Sequence, residues 1–284
     1  IMKENAKARV LTRIASAIKH TILIFSAAAA LFPVIIVVLN SVKARLAIFN
    51  HPYALPTPQT WDLVGYATVF SRSDFLLYYK NSLIVITCSL FLILFLGSLV
   101  SYALTEYRFR GRNVMFIYFI LGIMIPIRLG SVGVLKIMSA LKLTNTLWSL
   151  VLIYAVAGMP LAIFILTQFF RQIPSTLKEA ARIDGASEFH IYLMCFKLIR
   201  PAIASVAALS VSPIWNDIWW PLILASTKDV MTVTLGAQQF LGQFSTDWNA
   251  LLAALSMAMI PLVILYVLFS KYVMSGMIEG AVKG

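Results

Sequence analysis

The sequence predicts an all-α membrane protein with six transmembrane helices. Of its 284 residues, 61% are hydrophobic and only 12% are charged, and the mean hydropathy is +0.89. A soluble fold of this size keeps roughly a quarter of its residues charged, so this chain has too little polar surface to cover a water-exposed globule. We therefore expect lipid to cover part of its surface.

Six apolar stretches are long enough to cross a hydrocarbon core of about 30 Å. They are residues 21–39, 82–104, 113–135, 143–170, 201–225 and 248–270. The first is longer than the apolar part of a signal peptide, so we expect it to be a membrane helix rather than a cleaved signal. The third meets Arg128 and would be too short without the residues beyond it, so we expect it to continue through Leu135. Arg128 would then either reach towards the headgroups or face protein.

The basic residues indicate how these spans are oriented. Six spans place both termini on one side of the membrane, together with the loops 1–20, 105–112, 171–200 and 271–284. These segments hold 15 of the 23 lysines and arginines. Because cytoplasmic loops carry the excess of basic residues, both termini are predicted to be cytoplasmic. No basic run is long enough to follow a phosphate backbone, so nucleic acid is not an expected partner.

Several function classes lack the residues that they need. The three histidines are scattered, and the two cysteines lie far apart in the sequence, so no metal site is predicted. No string of the form G-x-x-x-x-G-K-[ST] occurs, so the chain is not expected to bind ATP in a P-loop of its own. No other cofactor is predicted for this chain. A membrane-embedded enzyme is disfavoured because neither paired carboxylates nor a nucleophile with its base appear at membrane depth. A secondary carrier or channel working alone stays open, although Asp217 is the only acidic residue well inside a span.

The polar loop 171–200 carries the clearest local signals. Thr176 has Glu179 three residues later, a pattern that predicts a capping box at the start of a helix. Gly185 can end this helix in the left-handed conformation. Ser187 can then cap a second helix that runs towards Leu198. The sequence therefore predicts two short helices joined by a sharp turn at the cytoplasmic face.

The first of these helices has two faces. The apolar face carries Leu177, Ala180, Ala181 and Ile183, and the charged face carries Lys178, Glu179, Arg182 and Asp184. A helix that lies on anionic lipid would be basic, whereas this one has no net charge and its small alanines allow a close approach. A groove in a soluble partner fits these features. The alternative is a connector that packs beneath its own helix bundle.

The order of several motifs resembles one protein family. The string EAARIDGAS at 179–187 is similar to the Glu-Ala-Ala…Gly loop of permease subunits in binding-protein-dependent ABC importers. The segments 107–113 (YRFRGRN), 145–148 (NTLW), 169–174 (FFRQIP), 214–222 (IWNDIWWPL) and 247–249 (DWN) also resemble that family, in the expected order. The likeness is greatest to the carbohydrate-uptake group, and to the six-span second permease of maltose-type importers. The resemblance covers nearly the whole chain, and it implies a single permease domain, residues 1–284.

This resemblance implies a type I ABC importer permease fold with a coupling helix in the loop 171–200. The implied location is the bacterial cytoplasmic membrane. The implied partners are a second permease, two ATPase subunits that bind ATP and Mg, and an extracytoplasmic solute-binding protein. The implied ATPase contacts are Glu179, Ala180, Ala181, Arg182, Asp184, Gly185 and Ser187. The usual Leu-Pro about a dozen residues after the glycine is missing before Pro201, which puts the bend into the fifth span in doubt.

A second group of residues is a candidate for the solute pathway. These are Tyr154, Trp215, Asn216, Asp217, Trp219 and Trp220. Asp217 lies about 24 Å along the fifth span at helical rise, towards the outer leaflet. Aromatic rings can stack on sugars while amides and carboxylates bind hydroxyl groups. The alternative is a tryptophan belt at the membrane surface, with Asn216 and Asp217 bracing a helix that breaks near Pro213.

Overall fold

The computed structural model describes residues 2–242 and 245–281, with side chains for 15–242 and 245–267. The regular secondary structure of these residues is helical, and two isolated β-bridges lie in the loops. In chain order the helices are α1 (Met2–Ser41), α2 (Arg45–Asn50), α3 (Val64–Arg72), α4 (Phe75–Glu106), α5 (Arg112–Met124), α6 (Ser131–Ala140), α7 (Leu147–Arg171), α8 (Ser175–Ile183), α9 (Glu188–Leu198), α10 (Arg200–Trp215), α11 (Trp219–Leu224), α12 (Val233–Gln238) and α13 (Trp248–Ala281). Two 3₁₀ turns, Ile127–Gly130 and Lys228–Val230, complete the list.

Four segments of these helices are long and apolar enough to cross a membrane. They are Ala15–Ser41, Phe75–Glu106, Leu147–Arg171 and Trp248–Val267. Two further pairs pass the same test only as bent spans, Arg112–Met124 with Ile127–Ala140 and Glu188–Leu198 with Arg200–Trp215. The described residues thus provide four spans, or six where each bent pair counts as one. The predicted stretches 21–39, 82–104 and 248–270 each lie inside one helix.

The third predicted span is not continuous. Helix α5 ends at Met124, and the chain bends by 85° before α6. Ile125 is extended, with φ −79° and ψ 121°, because the residue before a proline avoids the helical region and Pro126 follows it. The expectation of one helix over 113–135 is therefore wrong. Arg128 lies on the 3₁₀ turn at this break.

The fourth and fifth predicted spans also differ from the observed helices. Helix α7 begins at Leu147 rather than at residue 143, because Lys142 and Asn145 have positive φ and the chain turns there. Helix α10 ends at Trp215, and residues 216–218 separate it from α11. The stretch predicted over 201–225 is therefore not one helix, and the break that one interpretation expected near Pro213 lies at residues 216–218.

The chain divides into two compact units, and residues 1–72 with 240–257 form the first. Its centre is the buried Lys43, whose Nζ donates to Asn40 Oδ1 at 3.1 Å and to the His51 carbonyl at 3.0 Å. Asn249 Nδ2 donates to the Lys43 carbonyl at 2.7 Å. Burial lowers the pKa of Lys43. These polar contacts order the segment around α2.

Residues 73–239 with 258–284 form the second unit, in which α4 packs along α7. Small residues allow the two helices to approach closely. A Cβ on Gly158 would lie 2.5 Å from Ile93 Cδ1, and one on Gly97 would lie 3.1 Å from the Cβ of Ala162. Small residues at the interface of membrane helices allow this close packing. Both sites described below lie in this unit.

Candidate functional site

The loop 171–200 folds into α8 and α9, and α8 begins earlier than predicted. The residue before the helix is Pro174, and no side chain caps the first turn. Thr176 is already helical, so it cannot occupy the non-helical N-cap position. The predicted capping box of Thr176 and Glu179 is therefore wrong.

The turn between α8 and α9 follows the prediction. Gly185 has φ +81°, the left-handed conformation that glycine adopts without steric cost. The Ala186 N–H donates to the Ala181 carbonyl at 2.9 Å, which closes the end of α8. The Ser187 hydroxyl then accepts a hydrogen bond from the His190 N–H and caps α9, which ends at Leu198. Glycine and serine thus set the sharp turn.

Ion pairs fix α8 to the rest of the second unit. Glu106, the last residue of α4, pairs with Lys178 and with Arg182, whose Nη2 lies 2.6 Å from Glu106 Oε1. Arg182 Nε also lies 2.7 Å from Glu188 Oε1, on the first residue of α9. We call these four residues the Glu106 cluster. The hydrogen bonds that Arg182 donates to Glu188 and Glu106 raise its pKa, and its cation lies between two helix ends.

The opposite surface of α8 is open. None of its residues is buried, and Leu177 and Ile183 are 41% and 86% exposed. Glu179 and Asp184 are also exposed, and within the described part of the chain neither side chain forms an ion pair. The apolar face of α8 is thus not packed beneath its own bundle.

The missing Leu-Pro does not prevent the bend after α9. Helix α9 ends at Leu198 and α10 begins at Arg200, with a bend of 70° between them. Pro201 lies in the first turn of α10, where its missing N–H leaves no helical bond unmade. Buried Ile191, Tyr192 and Cys195 hold α9 against the unit.

The second candidate site is a cavity of about 250 Å³. Its walls come from α4, α7, α10, α11 and the turn between α5 and α6. They are formed by Ile93, Ile127, Arg128, Tyr154, Ala157, Gly158, Leu161, Leu209, Ser210, Pro213, Ile214, Asp217 and Trp220. The lining is mostly apolar with a few polar groups, as in small-molecule sites.

Asp217 is the buried polar centre of this cavity, with a side chain that is 5% exposed. Its Oδ2 accepts from the Tyr154 hydroxyl at 2.9 Å and from the Trp220 N–H at 3.1 Å. Its Oδ1 accepts from Arg128 Nη2 at 3.2 Å and from the Trp219 N–H at 3.3 Å. The carboxylate thus braces the break between α10 and α11, as one of the two interpretations of the sequence expected.

Three of the predicted pathway residues do not line the cavity. Trp215 is buried, and its Nε1 donates to the Ala258 carbonyl at 2.9 Å. Asn216 bonds back to Ser212 within α10. Trp219 is partly exposed, and its Nε1 donates to Ser131 Oγ at 2.9 Å. Of the predicted set, Tyr154, Asp217 and Trp220 come together at the cavity.

Arg128 belongs to this site, although it was not among the predicted pathway residues. Of the two alternatives for Arg128, a side chain that reaches the headgroups or one that faces protein, the structure agrees with the second, since Arg128 pairs with Asp217, 89 residues away. Pro126 was an available signal, because a proline inside an apolar stretch breaks the helix and can place the next charged residue at a cavity. Nothing in the sequence pattern pointed to Ser210.

Comparison with known proteins places the chain in a family. Residues 93–279, more than half of the chain, match the family described as binding-protein-dependent transport system inner membrane component. The chain belongs to this family. Its members are transport subunits of multi-pass type in the inner membrane, and ATP hydrolysis lies in separate subunits.

Several similar proteins match almost the full length of this chain. The arabinooligosaccharides transport system permease protein AraQ of Halalkalibacterium halodurans is 31% identical over 92% of this chain and 94% of its own length. The inner membrane ABC transporter permease protein YcjP of Escherichia coli is 32% identical over 89% of this chain and 91% of its own length. The multiple sugar-binding transport system permease protein MsmG of Streptococcus mutans is 28% identical over 93% of this chain and 96% of its own length.

A solved structure has the same fold. A chain in the crystal structure of a bacterial ABC transporter involved in the import of the acidic polysaccharide alginate matches with a TM-score of 0.79. The match covers 92% of this family member and 96% of that chain, at 22% identity. The type I ABC importer permease fold expected from the motifs is thereby confirmed at the level of the fold.

Proposed function

We propose that this chain is a membrane-spanning subunit of an ATP-driven importer. With a second permease it forms the pathway for a carbohydrate that an extracytoplasmic binding protein delivers. Two ATPase subunits bind ATP and Mg and drive the cycle. The observation that carries this proposal is the exposed helix α8, which the Glu106 cluster fixes to α4 while its other surface stays open.

Carbohydrate is the proposed solute class because relatives of near-equal length are named for it. The names of AraQ and MsmG refer to arabinooligosaccharides and to multiple sugars. The proposed arrangement in the membrane has six spans, with each bent pair counted as one, and both termini in the cytoplasm. This orientation places α8 and the Glu106 cluster on the cytoplasmic side, where the ATPases are.

The contacts suggest how α8 acts as a coupling helix. The groups offered to an ATPase are Glu179, Ala180, Ala181, Asp184 and the turn at Gly185 and Ser187. Arg182 instead faces its own subunit and holds α8 in position. Movement of α8 would reach α4 through Glu106, and α4 packs along α7, which lines the cavity. ATP-bound and ATP-free ATPases would bind the two permease states unequally, as a population shift requires.

The test uses the assembled complex and two variants of the loop. Glu179→Lys reverses the charge of an exposed residue, and Gly185→Val strains a position with φ +81°. We expect both variants to insert at normal abundance but to lose ATP-dependent uptake and copurification with the ATPase. Asp74→Lys, the same charge change at an exposed residue outside this loop, is the matched control and should keep uptake.

Two results would contradict the proposal. If both loop variants retain ATP-dependent uptake, α8 does not couple the ATPase to the membrane helices. If the purified chain alone takes up a solute in proteoliposomes, it is a secondary carrier or channel.

A further inference from the structure

Two helix breaks meet at the cavity, and each contributes one charged residue. Arg128 lies on the 3₁₀ turn between α5 and α6, and Asp217 lies between α10 and α11. Their side chains pair at 3.2 Å. Broken helices at membrane depth are tolerated where they line a cavity, and in transport proteins such breaks form binding sites.

Asp217 has no acceptor position left for a solute. An ionised carboxylate offers about four positions that accept hydrogen bonds. Tyr154, Arg128 and the N–H groups of Trp219 and Trp220 occupy them. Asp217 is therefore a positioning residue, which fixes the helix break and one end of Arg128.

Arg128, in contrast to Asp217, keeps most of its hydrogen-bonding groups free. Its side chain is 65% exposed and lines the cavity. Among the described residues its guanidinium makes a single hydrogen bond, to Asp217. A guanidinium carries five N–H donors in a rigid fork, so most of them remain available. Asp217 cancels the charge locally but leaves these donors in place.

We propose that Arg128 is the solute-binding group of this cavity and that it binds one ring of an uncharged saccharide through hydroxyl oxygens. This inference rests on the proposed function and names the solute class of its pathway. A charge-balanced pair offers directed donors without strongly attracting anions, which suits a neutral solute with many hydroxyl groups. The apolar walls, with Ile93, Leu161 and Leu209, suit the C–H faces of a sugar ring. A cavity of about 250 Å³ cannot hold the whole of a long oligosaccharide at one time.

The experiment measures sugar binding and uptake with the complete complex in three variants. The probes are labelled arabinotriose, maltotriose and digalacturonate, the last of which is acidic. Binding is measured by equilibrium dialysis with the complex trapped by ATP in hydrolysis-deficient ATPases, and uptake is measured in proteoliposomes. Arg128→Gln removes the charge, Arg128→Lys keeps it without the fork, and Asp217→Asn leaves Arg128 uncompensated. Lys136→Gln, at an exposed position of α6 outside the cavity, is the control.

We expect Arg128→Gln to raise the Kd for the neutral probe that wild type binds by about tenfold, since hydrogen bonds to charged groups contribute about that factor. Arg128→Lys should lie between Arg128→Gln and wild type, and Lys136→Gln should match wild type. Asp217→Asn should shift preference towards digalacturonate. A loss of fold alone would lower the amount of complex but would not change this preference.

The possible failures can be told apart. Absence of ATP-dependent uptake of every probe by wild type would overturn the proposed function and this inference with it. Normal uptake with an unchanged Kd in Arg128→Gln would overturn the inference alone. Preference of wild type for digalacturonate would overturn the assignment of an uncharged solute.

Discussion

The Glu106 cluster and the cavity use the same chemistry in opposite ways. Each contains an arginine that pairs with a carboxylate whose side chain is 10% exposed or less. In the cluster, Arg182 binds two carboxylates, so its donors hold α8 between the ends of α4 and α9. In the cavity, Asp217 binds four donors and Arg128 keeps most of its own free. The first arrangement fixes a helix, whereas the second presents donors to a solute.

The largest expected effect tests the fixing role of Arg182. Arg182→Gln removes its charge-assisted bonds to Glu106 and Glu188, so α8 loses its ion pair with α9 and keeps only the Lys178 pair with Glu106 of α4. We expect the number of ATP molecules hydrolysed per solute imported to rise by an order of magnitude while the ATPase still binds. Arg182→Lys, which keeps a cation, should restore part of the coupling. The measurement is parallel ATPase and uptake assays in proteoliposomes.

The matched control for this prediction is Arg200→Gln, at an exposed arginine that forms no ion pair within the described residues. It should keep the wild-type ratio of hydrolysis to uptake. A normal ratio in Arg182→Gln would mean that the bonds of Arg182 to Glu106 and Glu188 are not needed for the connection between α8 and α4. Arg182 would then not have the fixing role that distinguishes it from Arg128.

The same two regions show what a sequence can and cannot predict. The turn at Gly185 and the cap at Ser187 follow from residues a few positions apart, and both were predicted correctly. Neither Arg182 with Glu106 nor Arg128 with Asp217 was predicted, since these partners are 76 and 89 residues apart and only packing brings them together. The helix break at Pro126 has a local cause in the sequence, the proline itself, although one helix through Leu135 was predicted.

A second prediction concerns the wall of the cavity. A Cβ on Gly158 would lie 2.5 Å from Ile93 Cδ1, so Gly158→Val must push α7 away from α4 or displace Ile93. Overpacking of this kind costs about 1–3 kcal/mol. We expect a lower melting temperature of the purified complex and weaker sugar binding, because both residues line the cavity.

Gly133→Val is the control for this change, since nothing lies within 4 Å of the position that its Cβ would occupy. Both glycines lie within helices, so the two variants add a similar side chain to a similar backbone. Equal melting temperatures for the two variants would show that the unit tolerates either separation of α4 and α7 or displacement of Ile93. The cavity would then be more adaptable than the close packing of Gly158 indicates.

The smallest effect is expected at Ser187, where the interaction is local. Its hydroxyl accepts from the His190 N–H, and removal of an N-cap of this type costs about 1 kcal/mol. Ser187→Ala should therefore speed hydrogen exchange of the first amides of α9 while exchange in α4 stays unchanged, and Ser187→Asp should preserve protection. Faster exchange in α4 as well would mean that the cap and the Glu106 cluster act as one unit through Glu188, which belongs to both the first turn of α9 and the cluster. The contrast between local and long-range contacts in this loop would then be weaker than the separate bonds suggest.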